Sequence, residues 1–166
     1  MKYNSVGEYF YRLSNRCLGL VLLPILLILS AYFFAQYFSI DLTIETSTED
    51  LLVELMTIEL GISILLIGAM QLKVSGKLKA LRIEPSLSNR MSGYIPIVMI
   101  RFQIFSFMVF IIGTCVFLTV DILPLAPFPI IVILILLYWP FHSRMARDLK
   151  LKPQERDILK SKSMGV

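Results

Sequence analysis

The sequence predicts an all-α integral membrane protein in which four transmembrane helices form a bundle, both termini are cytoplasmic, and an amphipathic N-terminal interfacial helix precedes the first span. Three observations carry that prediction. Of 166 residues, 57% are hydrophobic and 17% charged, with a mean hydropathy of +0.76, too apolar for a soluble domain of this size. Four stretches, 18–38, 55–72, 95–120 and 122–142, approach or exceed the ~20 apolar residues that cross a bilayer. Fifteen of the sixteen lysines and arginines fall in 1–16, 73–90 and 144–166, whereas 39–53 and 119–127 contain none. Short basic loops resist translocation, so this alternation predicts N-in/C-in topology. Compact loops and the charge bias point to a plasma (inner) membrane, multi-pass.

The chain opens with Tyr3, Val6, Phe10, Leu13, Cys17 and Leu20 at spacings of three and four, leaving Asn4, Glu8, Arg12 and Arg16 elsewhere. Such a helix lies along the inner interface or packs under the bundle. The first span is far longer than the ~7–15 residues of a cleavable signal core. It reads as an uncleaved anchor, with Arg16 at its inner boundary, Pro24 as a kink, and Tyr32, Gln36 and Tyr37 at its outer boundary.

The first outer segment carries Asp41, Glu45, Glu49 and Asp50. Thr46 and Glu49 have capping-box spacing, so the second helix is expected to start near Ser47 with acids at its positive dipole end. Topology and capping account for this acidity more simply than a cation-gathering vestibule does. Span two is the least apolar, with Glu54, Thr57, Glu59, Ser63 and Gln71, and a helix of that kind wants protein neighbours. Gly61 and Gly68 share one of its faces, although strict GxxxG is missing.

The middle loop holds Lys73, Lys77, Lys79, Arg82 and Arg90 around Gly76 and Pro85. It is expected to extend the helix at first and to be irregular after Glu84. Pro96 is placed in the first turn of span three, where a missing N–H costs nothing. Pro124, Pro127 and Pro129 mark a tight outer hairpin. Span four then runs to Tyr138, Trp139 and Pro140, the two aromatics forming an inner belt. The tail resumes as a helix over 143–151, breaks at Lys152 and Pro153, and restarts as a short polar helix. Its mixed charges, including Asp148, Glu155 and Asp157, read as a solvated surface or as a docking helix for a cytoplasmic partner. No repeat of 20–50 residues is evident.

Glu59 and Arg101 are the residues to weigh for chemistry. A charge near the centre of a span costs roughly 2.5–3.5 kcal/mol and is retained where something offsets it. At 1.5 Å per residue, Arg101 lies about 10 Å into its helix and Glu59 about 20 Å from the inner end of its own. A pair is permitted but not demanded, and snorkelling of Arg101 to the headgroups is the simpler alternative. Glu59 is either a protonated or hydrogen-bonded carboxyl in a helix contact, with Ser63 one turn on, or a proton or cation site. Gln103, about 200° around the helix from Arg101, gives span three polar groups on two faces.

Enzymatic chemistry has little to stand on. The single histidine, His142, has no nucleophile or metal partner in any recognisable pattern, and Ser/His/Asp order, HExxH and a phosphate loop are all missing. Cys17 and Cys115 belong to opposite halves of the bilayer, too far apart for a disulfide, and no CxxC suggests a metal. No catalytic residue, metal or cofactor is expected. A pI near 9.1 fits anionic lipid headgroups on the cytoplasmic side rather than nucleic acid. The expected partners are membrane lipids and other membrane protein subunits or a second copy. Two functional classes follow: a small non-enzymatic accessory or structural subunit of a membrane assembly, or a homo-oligomeric channel or transporter using Glu59.

Overall fold

Helix α3 (Leu87–Thr119) is the axis around which the chain is arranged, because α1 (Val6–Tyr37), α2 (Glu49–Ile83) and α4 (Phe128–Tyr138) all pack on it. Two short helices, α5 (His142–Asp148) and α6 (Pro153–Lys160), close the chain. The computed structural model describes residues 5–37, 49–119 and 126–160. Among them every regular element is helical, as expected where apolar segments must satisfy their backbone polar groups internally. Three helices are long and apolar enough to cross a membrane, and the bent pair α4 and α5 makes a fourth candidate. Asp41 and Glu45 of the expected outer segment, with Thr46 and Ser47, lie outside the described residues, as do Asp121 and Pro124.

No break separates the amphipathic stretch from the first span: α1 is one helix of 32 residues that passes through Pro24. Ser5 caps it, its hydroxyl accepting from the Glu8 amide at 3.1 Å. Val6, Tyr9, Leu13 and Cys17 are buried, and the Tyr9 hydroxyl donates to the Met91 carbonyl at 2.7 Å. The N-terminal turns therefore pack beneath the bundle against α3.

At 35 residues, α2 is about 52 Å long, well beyond a hydrocarbon thickness of about 30 Å. Its basic continuation to Ile83 stands beyond the apolar part. The expected irregular stretch after Glu84 is confined to a tight turn, since α3 begins already at Leu87. Ser86 is the reason: its hydroxyl faces the Asn89 amide at 3.4 Å and its carbonyl accepts from the Arg90 amide. Pro96 consequently sits inside α3 rather than in its first turn.

The helix within the expected fourth span, 122–142, is short. Helix α4 has 11 residues, about 16 Å, and ends at Tyr138. Trp139 precedes Pro140, whose ring disfavours the helical conformation for the residue before it; Trp139 accordingly takes φ −54°, ψ 137°. The chain leaves the break at 81°. Helix α5 ends in a Schellman motif, with the Lys150 amide donating to the Arg147 carbonyl and the Leu151 amide to that of Ala146. Lys150 occupies its left-handed position at φ 51°, where a side chain costs roughly 1 kcal/mol relative to glycine. Helix α6 opens with Pro153, and Glu155 reaches back to the Lys152 amide at 2.9 Å, half of a capping box.

The interior is concentrated at one end. Tyr94, Phe102, Phe105 and Met108 of α3 are buried against Met70 and Val74 of α2, with Met145, Leu149, Leu151 and Leu159 from the tail completing that core. Toward the other end α1 and α2 expose Leu22, Leu23, Leu26, Ile58, Ile62 and Leu65. Contacts of Tyr9 with Met91, Arg82 with Asp148 and Arg90 with Glu155 bring the three basic segments together at the densely packed end. Two glycines allow close approach: a Cβ on Gly93 would strike the Leu81 side chain, and one on Gly113 would strike Ile28. No disulfide links Cys17 and Cys115.

Candidate functional site

Arg101, expected to snorkel or to meet Glu59, is 2% exposed and pairs with Asp148, its Nη1 2.6 Å from Oδ2. The same oxygen accepts from the Tyr94 hydroxyl at 2.9 Å. Oδ1 lies 3.3 Å from Arg144 Nε, one turn back on α5. The Asp148 backbone carbonyl accepts from Arg82 Nε at 2.9 Å. One residue of the tail is thus held by α2, α3 and its own helix. Tyr138 completes the cluster: the Arg101 and Arg144 guanidiniums both lie over its ring, 4.9 and 4.4 Å from its centroid, and its hydroxyl bonds with Gln71. Cations over an aromatic face are attracted by its quadrupole.

A second ion pair fastens α6. Arg90 Nη2 is 2.5 Å from Glu155 Oε1, with the side chains 11% and 19% exposed. Partial burial pulls the Glu155 carboxyl upward, but the Lys152 amide, the Arg90 hydrogen bond and the two nearby positive charges outweigh it, so the group sits below its ordinary value.

Glu59 is 1% exposed and faces the bundle at a different level. Neither of its carboxyl oxygens has a hydrogen-bond partner among the described residues. It lies within electrostatic reach of Cys115, fourteen residues beyond Arg101 on α3, or about 21 Å along the helix. Glu59 and Arg101 are therefore not brought together. Ser63 is buried one turn from Glu59, and Gln103 is exposed on the face of α3 opposite Arg101. Arg16 is exposed on α1, while Trp139 packs edge-on to Phe102 at 5.7 Å. Tyr138 and Trp139 both turn toward the bundle.

Asp148, the centre of the cluster, is one of the tail charges that read from the sequence as a solvated surface or a docking helix. The pattern held a usable signal: Arg144 and Asp148 are four apart, and Met145, Leu149 and Leu151 around them are apolar, so Asp148 shares a face with residues bound for the core. Chemically the arrangement is a lock. Asp148 accepts through Oδ2 and its backbone carbonyl from groups on α3 and α2, and the bent segment is held under the bundle. Among the described residues no group of histidines, cysteines and acids has the makings of a metal site. No protein-family model matches the chain, and no curated protein or solved structure does either.

Proposed function

We propose that this chain is a small non-enzymatic, multi-pass protein of the plasma (inner) membrane, with both termini cytoplasmic, that serves as an accessory or structural subunit of a larger membrane assembly. One observation carries the reading. The face of α2 turned away from α3 bears Glu54, Thr57, Gly61, Gly68 and Ser75, all exposed, and nothing lies within 4 Å of where a Cβ would stand on Gly61 or Gly68. Glu54, Gly61, Gly68 and Ser75 recur every seven residues, so they line one stripe nearly opposite the buried Glu59, Ser63, Met70 and Val74. Small residues permit close helix approach and hydroxyls bond across it, whereas lipid offers neither.

The test is affinity purification from native membranes in mild detergent, with mass spectrometry and a native mass estimate. Stoichiometric foreign subunits should be recovered with the wild type and lost with Gly61→Leu/Gly68→Leu, whose own fold is expected to be intact. Recovery of the protein alone, with no change in mass in the variant, overturns the reading. The alternative, a homo-oligomeric channel or transporter, is favoured by the buried Glu59 carboxyl, which has no hydrogen-bond partner among the described residues. It requires that Glu59→Gln abolish flux in liposomes and fails if flux is unaltered.

A further inference from the structure

We propose that the basic end of the molecule holds a binding site for one anionic glycerophospholipid, with the headgroup phosphate among Arg147, Lys150 and Arg156 and an acyl chain along Phe10, Tyr11 and Phe141. The first part is a cavity of about 600 Å³ between α5 and α6, lined by His142, Ser143, Arg147, Lys150, Arg156 and Leu159 among others. The second, of about 300 Å³, lies between the first turns of α1 and the α4–α5 break, lined by Phe10, Tyr11, Pro140 and Phe141 together with the same His142 and Leu159. His142 and Leu159 line both, so the two cavities lie side by side. Both volumes lie in the range of small-molecule sites.

Charge selects the occupant. Three cations and a histidine line the first cavity, and no acidic residue lines either one. Among the described residues Arg147 and Lys150 form no ion pair, and Arg156 spends only Nε, on the Leu151 carbonyl at 3.0 Å. Of the acids nearest in sequence, Asp148 is engaged with Arg101 and Glu155 with Arg90, while Asp157 lines neither cavity. A phosphate fits the polar part, and the aromatic wall beside it suits a hydrocarbon chain. A ligand carrying both, at a membrane boundary, is a phospholipid.

The backbone supplies an independent argument. The left-handed position that ends α5 normally goes to glycine, yet it holds Lys150, whose side chain lines the basic cavity. A residue kept where it strains the backbone points to a use for its side chain.

The inference rests on membrane placement and not on any partner subunit. Flotation of vesicles reconstituted with the protein tests that placement separately. The full-length protein would be compared by native mass spectrometry after loading with phosphatidylglycerol or phosphatidylcholine, with inorganic phosphate as competitor. Preferential retention of phosphatidylglycerol is expected, weakened about 5-fold by each of Arg147→Gln, Lys150→Gly and Arg156→Gln. Lys150→Gly should keep or raise the melting temperature, which separates lost binding from lost folding. Equal retention of the two lipids, or phosphatidylglycerol retention unaltered in all three variants, overturns the proposal. So does displacement by millimolar inorganic phosphate, which would identify a free-anion site.

Discussion

Arg101 and Asp148, 47 residues apart, form a buried ion pair at 2.6 Å that ties the middle of the most enclosed helix to the tail. The arginine sits in an apolar run, where alone it would be costly. The tail brings the aspartate to it, and Tyr94 shares the same carboxylate oxygen.

Breaking that pair from either side should destabilise the protein. Arg101→Leu and Asp148→Asn are each expected to cost about 3–5 kcal/mol, because the surviving partner is left buried and uncompensated. The Arg101→Leu/Asp148→Leu double variant should lose less than the sum of the corresponding single changes. Thermal or denaturant unfolding in detergent, read as a double-mutant cycle, checks the coupling.

Acid should loosen α6 before it loosens the bundle. Glu155 titrates below its ordinary value of 4.5, so the folded state binds a proton less readily than the unfolded chain. The resulting stabilisation is complete above that ordinary value and is lost as pH falls through the depressed one. Amide exchange in 153–160, corrected for its intrinsic pH dependence, should accelerate over that interval. In Glu155→Gln the exchange should already be faster at neutral pH and show no such step.

The glycines should divide into two classes. Gly113→Ala is expected to cost about 1–3 kcal/mol by overpacking, since three atoms of Ile28 stand in the way. Gly93→Ala should cost less, because a terminal methyl of Leu81 is the main obstacle and can rotate. Gly61→Ala and Gly68→Ala meet nothing and should leave the isolated protein as stable or up to about 1 kcal/mol more so. Melting temperatures of the four purified variants are the measurement.

Tyr9→Phe removes the hydroxyl that bonds the Met91 carbonyl at 2.7 Å. A loss of about 1 kcal/mol is expected, together with faster exchange in the first turns of α1. Unaltered stability would mean that these turns are held by apolar packing alone.

Glu59→Leu should raise the melting temperature of the isolated protein, since the carboxyl is buried with no hydrogen bond among the described residues. In the subunit reading the same change should lower recovery of partner proteins. A fall in melting temperature would show that the carboxyl is engaged within the chain.

The all-helical architecture and the existence of long apolar helices were legible in the sequence, because lipid admits few solutions for a backbone that must bond to itself. The tail helices were legible too, since Lys152 and Pro153 punctuate them locally. The end of the helix at Tyr138 has a local cause as well, Pro140 acting on Trp139, whereas the 81° turn that follows is not visible in a nearly unbroken apolar run. The same limitation hid the early start of α3, where Ser86 provides a cap that outweighs an apparently irregular, basic composition.

Composition and spacing by themselves determined that this chain is helical, apolar and banded by charge, properties that depend on each segment and its solvent. Only the tertiary structure decided the partner of Arg101, the burial of Asp148 and the placing of the basic cavity beside the aromatic one. Those depend on the 81° bend at Trp139 and Pro140, which directs α5 beneath α2 and α3. Pairings between residues 47 or 65 apart are set by that geometry, and no local pattern records it.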